Sequence, residues 1–430
     1  MARPRQNRTG RPGRPQAPPP ILRRRVTEPF EGADLLEEVR REQGALALWQ
    51  GLRDVLLWAF APADARREGL FSAQAGRTGA QLEAGLQLDP ELVVPLHELS
   101  AVCTDPAAAR PERLAVACRA ISRWAEARSF PRAALAYAYA AAVVAPGSAE
   151  DSYRVGLLAR READYARAEA WFRRSIGLAR RSKEARPHAL ALVGLGNLFM
   201  QRGDYPRAEN AHRRALRMAR RHGVREVKGM ALHDLCVLAY ESNQMEKAER
   251  YAYGALRAYG PEHPRLSMLA HDVAVFWLLQ GKFDRALDAF KAVHRVIRDP
   301  AEQLWTLGTI AHAAGGAGRR DEFTSAWIQA WRIIDSQPAT HGTGPALLNL
   351  AFGSAYLQDW ERVEMAASHA VATAVRWGES RVRMEAEVLL ESARNRSMPL
   401  EASNLYPPRD GEFGDVLATR LLEALHSMRA

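Results

Sequence analysis

The sequence predicts an all-α fold, a solenoid of stacked helix-turn-helix units, and three observations carry that prediction. Seven segments superpose in one register, marked by Phe130, Tyr165, Tyr205, Met245, Phe283, Arg320 and Trp360. Their separations of 35, 40, 40, 38, 37 and 40 residues fall in the range of stacked helix pairs. Small residues recur at fixed offsets from these markers: Gly156, Gly196, Cys236, Ala274, Ala311 and Ala351 nine before, and Ala133, Ala168, Ala208, Ala248 and Ala286 three after. Small side chains at two such points let paired helices approach to native packing density. Finally, single helices carry their own apolar stripes, as in Ala168, Trp171, Phe172, Ser175 and Ala179, at steps of three and four residues.

A chain of 430 residues suits such an array, which has no single core to limit its length. With 47% hydrophobic residues the chain has the composition of a folded protein. Its longest nearly uncharged run, Ala133 to Ala145, is shorter than the roughly 20 residues a bilayer span needs, and reads as a buried helix.

Taken in order, residues 1–27 are Arg- and Pro-rich and predict a disordered tail, without the apolar centre of a secretory signal. Residues 28–111 read as a helical N-terminal region or cap. Its apolar stripes are Leu35, Leu36 and Val39, then Leu46, Trp49, Leu56 and Phe60. The repeat array occupies 112–396. Within it Gly203, Gly281 and Gly318 stand at turns that ask for a left-handed backbone. Pro146, Pro187, Pro264, Pro300 and Pro345 fall at the joints between units. Ile121 is the exception among the residues nine before the markers, and Phe323 and Val363 stand in the Ala position of the last two units, which makes those two units degenerate. Residues 397–430 comprise a polar loop around Pro407-Pro408 and an amphipathic helix over 414–428. That helix presents Val416, Leu417, Leu421, Leu425 and Met428, and is expected to cap the array's open end.

The segments LGNLFMQRGDYPRAENAHRRAL and VAVFWLLQGKFDRALDAFKAV resemble tetratricopeptide repeats in their progression from small residue to Gly-x-aromatic to Ala. The resemblance covers about residues 112–396. It implies a right-handed superhelix whose first helices line a concave groove and whose second helices form the convex side. It also implies a scaffold function. Units of 37–40 residues exceed the family's usual length of about 34, which predicts longer helices.

No phosphate-binding GxxxxGK[ST], dinucleotide-binding GxGxxG, zinc-binding HExxH or nucleophilic GxSxG pattern occurs, so the expectation is a non-enzymatic chain with no cofactor and no metal. Cys103, Cys118 and Cys236 are widely spaced and form no CxxC pair, which points to a reducing compartment and a cytoplasmic location.

The formal charge of +10 is unevenly spread. Residues 1–26 hold eight Arg and no acid, residues 154–228 carry a net +12, and the remainder is acidic. Arg173, Arg174, Arg180 and Arg181 recur 40 residues later as Arg213, Arg214, Arg220 and Arg221, two rows able to hold an anion. Nucleic acid or another polyanion is therefore the alternative partner class. The tail's Gly10-Arg11-Pro12-Gly13-Arg14-Pro15 is similar to the core of AT-hook peptides, which insert Arg into a minor groove. Thr9 and Pro12 stand where that motif usually has a basic residue. No aromatics interleave the Arg rows as a single-strand stacking platform requires.

The leading partner class is a protein or peptide held in the groove. His233-Asp234 and His271-Asp272 occupy one repeat position in consecutive units, and Asn197 and His312 share another. Two readings compete: recognition of a basic or mixed-charge segment, or hydrogen bonding between stacked units. Val193 stands where a carboxylate-clamping member of the family would need Lys, so binding of a chaperone's C-terminal tail is not expected. No motif encodes the oligomeric state.

Overall fold

A computed structural model describes residues 32–39, 44–61, 89–260, 262–336, 339, 342–397 and 412–427. The tail, with its AT-hook-like repeats, lies outside them. Every element among the described residues is helical, and none of the helices is long and apolar enough to cross a membrane. The chain divides into two compact units, residues 1–222 and 223–430. The repeats run through both.

The first unit comprises α1 (Gly32–Val39), α2 (Ala45–Phe60), α3 (Pro90–Thr104), α4 (Pro111–Ala127), α5 (Pro131–Val144), α6 (Ala149–Arg161), α7 (Tyr165–Ser182), α8 (Ala185–Gln201) and α9 (Tyr205–His222). From α4 onward the helices pair as α4/α5, α6/α7 and α8/α9. Ahead of them α1 and α2 pack on α5, and α2 also packs on α3. The Glu38 carboxylate of α1 accepts hydrogen bonds from the Arg132 and Ala133 amides at 3.1 and 2.8 Å. This supplies the N-cap that Phe130, with no polar side chain, cannot give α5. Tyr137 donates to the Leu48 carbonyl at 2.5 Å.

The apolar stripe expected for α2 is corrected. Leu46 and Phe60 are exposed, while Leu48, Leu52, Val55 and Trp58 are buried with Leu56. This helix is apolar almost all round, so periodicity alone does not choose a face; packing against α3 and α5 does.

The second unit comprises α10 (Arg225–Glu241), α11 (Met245–Tyr259), α12 (Leu266–Leu279), α13 (Phe283–His294), α14 (Pro300–Gly316), α15 (Arg320–Ser336), α16 (Thr343–Tyr356), α17 (Trp360–Trp377), α18 (Ser380–Asn395) and α19 (Glu412–Ser427). The pairs are α10/α11, α12/α13, α14/α15 and α16/α17. The units with Phe323 and Val363 still form complete pairs, with both side chains fully buried. In place of a third-position Ala, Phe323 lies beneath the Arg362 guanidinium at 5.6 Å.

All seven markers sit at the start of a second helix, and all seven turns before them have one geometry. A single residue adopts positive φ: Ser129, Ala163, Gly203, Asn243, Gly281, Gly318 and Gln358, at 55° to 73°. The next amide then reaches back to a carbonyl five residues earlier, as in Asp164 to Ala159 at 2.9 Å and Asp359 to Ser354 at 3.0 Å. Asp164, Asp204 and Asp359 also cap the second helix by accepting from the amides of Arg167, Arg207 and Arg362.

The small residues do what their spacing implies. A Cβ on Gly196 would stand 2.4 Å from the His212 ring, and one on Gly156 2.7 Å from Phe172. In the second unit α14 and α16 approach backbone to backbone, where a Cβ on Gly353 would lie 2.4 Å from the Ala311 carbonyl oxygen.

The far end of the second unit departs from expectation. It is α18 that packs on α16 and α17, burying Ala386 and Leu389 and showing solvent the pairs Arg381–Glu385 and Arg383–Glu387, each at 2.7 Å. A polar outer face is what the last helix of a stack needs. The C-terminal helix α19 instead packs on α11, α12 and α13, through Leu417, Leu421 and Leu425. Val416 is exposed, and Met428 lies outside the described residues.

Candidate functional site

Counting back from each marker, one set of partly or fully exposed residues recurs on first helices of the second unit, at offsets of 15, 11, 8 and 4. On α12 these are Met268, Asp272, Val275 and Leu279; on α16 they are Pro345, Asn349, Phe352 and Tyr356. Steps of four, three and four residues place each set on one helix face. On α10 Asp234, Val237 and Glu241 occupy the same offsets, and on α14 Trp305 opens the row. Met268, Leu279 and Trp305 are 53%, 44% and 36% exposed.

The structure separates the residues that the sequence grouped. Asp234 and Asp272 lie on this face and are half-buried, whereas His233 and His271, one residue earlier, turn into the seam between repeats and are 4% and 2% exposed. His233 Nε2 lies 2.8 Å from Asp272 Oδ2, joining α10 to α12. The His271 ring packs on Trp305 with centroids 3.8 Å apart. His312, on the face by its offset, is 8% exposed and bridges α14 to α16 through Nδ1 and Asn349 Oδ1 at 2.8 Å. It stacks on Phe352 at 5.0 Å. Asn197 is half-buried on α8, at the equivalent offset in the first unit.

Electrostatics follow from these partners. Burial would raise the Asp272 carboxyl, but the hydrogen bond with His233 and the nearby imidazole of His271, 3.7 Å away, more than offset it and hold it at about 2. Burial pushes His312 down to about 4 against the opposing bond with Asn349, so its imidazole is neutral at pH 7. The face is thus acidic at Asp234, Asp272 and Glu241 and apolar between them. Sequence reasoning passed over Met268, Trp305, Leu279, Phe352 and Tyr356. Their shared offsets were visible, but exposure was not.

The Arg rows divide as well. Arg173 is held by Glu169 and Arg213 by Glu209, each at 2.7 Å, while Arg174 covers Trp171 and donates to the Pro146 carbonyl at 2.7 Å. Arg180, Arg181, Arg214, Arg217, Arg220 and Arg221 are exposed and make no ion pair among the described residues. Burial, followed by the charges of Arg180, Arg214 and His222, lowers the pKa of His188 and so marks a concentration of positive charge around α8's first turn. Among the described residues no cluster of His, Cys, Asp and Glu could hold a metal ion.

Helix pairs in one register, each closed by the same left-handed turn and packed through small residues, define a superhelical repeat protein. Residues 148–221, which span α6 to α9, match the family model of the tetratricopeptide repeat, so this segment carries tetratricopeptide repeats. No curated protein sequence matches the chain. Among solved structures, a Signal Transduction ATPase with Numerous Domains protein with a tetratricopeptide repeat sensor, from Pyrococcus horikoshii, is 14% identical with a TM-score of 0.52. The match covers 93% of this chain and 60% of that one, and shows a shared fold. A Rap protein complexed with Competence and Sporulation Factor is 12% identical over 79% of this chain and 99% of its own, with a TM-score of 0.47. BtubC from P. vanneervenii is 18% identical over 54% and 95%, with a TM-score of 0.40.

Proposed function

We propose that this chain is a non-enzymatic scaffold that binds a protein segment along the first-helix face of its second unit. The observation that carries this reading is the row of exposed apolar residues, Met268, Leu279 and Trp305, set among the carboxylates of Asp234 and Asp272. Exposed apolar surface rimmed by charge marks interaction sites, and the carboxylates select against an acidic ligand. The favoured ligand is a segment with alternating apolar and basic residues. Half-buried Asn349 adds a polar group at the offset of Asp234 and Asp272, while His233, His271 and His312 act from behind the face by holding its helices in register. The three described cysteines are buried and free, in keeping with a reducing cytoplasm.

The test is selection of displayed peptides on the full chain, followed by affinity measurement on Asp234→Arg and Leu279→Glu. Enriched peptides should carry basic and apolar residues and lose at least ten-fold in affinity to each variant. Peptides that bind both variants as tightly as wild type would sink the reading.

A second reading rests on the uncompensated cations Arg180, Arg181, Arg214, Arg217, Arg220 and Arg221. They could hold a nucleic-acid backbone or another polyanion in the first unit.

A further inference from the structure

One position of the first helices changes sign along the chain. Eleven residues before the marker stand Arg119 and Arg154 in the first two repeats, and Asp234 and Asp272 in the fourth and fifth. Four before it are Glu126 and Arg161, then Glu241 and Leu279. Arg119, Arg123 and Glu126 lie on α4, and Arg154 and Arg161 on α6, all in the first unit. Ion pairs neutralise these arginines unequally. Arg119 holds the Asp151 carboxylate at 2.6 and 2.7 Å, and Arg186 holds Glu150 at 3.1 Å. Glu126 serves both Arg154, which contacts it, and Arg161, 2.9 Å away. Arg123 is exposed and makes no ion pair among the described residues.

Three guanidinium groups, those of Arg123, Arg154 and Arg161, thus gather around one carboxylate and leave positive charge in surplus. Their crowding is unfavourable to the free protein. Burial, followed by the charges of Arg161 and Arg123, lowers the pKa of Arg154, whose side chain is only 33% exposed. Joining α4 to α6 through Glu126 needs one arginine; the other two add repulsion that a bound anion would relieve. Apolar surface lies beside them. Val116, seven residues before Arg123 on the same side of α4, is 57% exposed, and Leu157, between Arg154 and Arg161, is partly exposed.

We propose that this face of α4 and α6 binds an acidic, partly apolar segment of a partner protein, with Arg123, Arg154 and Arg161 receiving its carboxylates and Val116 and Leu157 its apolar side chains. Charge complementarity selects the ligand, in the opposite sense to Asp234 and Asp272 of the second unit. A nucleic-acid backbone fits less well: Val116 and Leu157 offer it nothing, and Glu126 at the centre opposes closely spaced phosphates. The surface shares no residue with the acidic face of the second unit or with the free arginines of α7 and α9.

The experiment uses the full chain, with a labelled peptide of alternating Glu and Leu, its Gln-for-Glu counterpart and duplex DNA as probes. The Glu peptide should bind wild type saturably and more weakly as salt rises, and Arg123→Glu should lower its affinity by about ten-fold or more. Because Arg123 makes no ion pair, this variant tests the surface without loosening α4 from α6. Arg154→Gln leaves Glu126 to Arg161, so it should weaken binding while the melting temperature holds or rises. Three results would overturn the proposal: an affinity that Arg123→Glu leaves unchanged, equal binding of the Gln-for-Glu peptide, or an Arg154→Gln variant that melts several degrees lower yet binds normally. Duplex DNA that binds wild type more tightly than the peptide does, and loses that advantage in Arg123→Glu, would give the surface to nucleic acid and overturn the partner assignment.

Discussion

His233 Nε2 lies 2.8 Å from Asp272 Oδ2, across the seam between the first helices of consecutive repeats. The imidazole is 4% exposed, so removing it leaves the carboxylate half-buried without its principal partner. His233→Ala should therefore destabilise the second unit by about 1–3 kcal/mol. Because the folded pKa of Asp272 is depressed to about 2, below the roughly 3.9 of an unfolded Asp, its contribution is present above about pH 4 and lost as pH falls toward 2. Urea melts of wild type and variant at pH 7 and pH 3 check this: the difference between them should shrink at the lower pH.

His312 titrates with a different window. Its folded pKa of about 4 lies below the roughly 6.5 of an unfolded His, so the unfolded chain binds the proton first. Its neutral form stabilises the fold above about pH 6.5, and that contribution is lost between 6.5 and 4. The full span corresponds to roughly 3 kcal/mol. His312→Gln should melt lower at pH 7 yet fall less steeply on acidification. A melting temperature with the same pH slope in both chains would refute the assignment.

Overfilling the helix contacts gives the most direct check on register. Gly196→Leu drives a side chain into the His212 ring, and Ala208→Arg puts a charge at a fully buried site. Each should cost about 1–3 kcal/mol or more. Gly353→Ala should also destabilise, because its neighbour at 2.4 Å is the Ala311 carbonyl and cannot rotate away. Thermal melts unchanged for all three would contradict the packing described.

The turns allow a gain. Ala163 and Gln358 hold φ of 57° and 58°, conformations that cost an L-residue about 1–2 kcal/mol and glycine almost nothing. Unfolded-chain entropy returns about 0.4–1 kcal/mol of that difference. Ala163→Gly and Gln358→Gly should each raise stability by a few tenths to about 1 kcal/mol, read as a higher denaturant midpoint at constant slope.

For the cation patch, replacing Arg180, Arg214, Arg217 and Arg221 with Gln should weaken duplex DNA binding. The logarithmic salt dependence should flatten by about one unit per lost phosphate contact. Replacing Arg173 and Arg213, which Glu169 and Glu209 already neutralise, should change the slope less. Identical slopes for wild type and both variants would leave the patch a solvated surface.

Pair number, turn positions and the buried small residues were legible in the chain because each is a local requirement repeated seven times. A turn that must reverse direction and a helix that must approach its neighbour leave the same mark in every unit. The left-handed turns at Ala163 and Gln358 escaped notice, since their shape is imposed by the Schellman hydrogen bonds on residues that do not favour it.

The proposed face was only partly legible. Repeat position brought out Asp234 and Asp272, but one residue's difference, about 100° around a helix, sends His233 and His271 into the seam, and His312 is buried behind the face. Periodicity cannot say which side of an almost wholly apolar helix meets solvent, so Trp305, Met268 and Leu279 emerged only from packing. For the same reason α19 was recognisable as an amphipathic helix, while its seat was not: an apolar stripe specifies that something must cover it, and only packing on α11, α12 and α13 decides what.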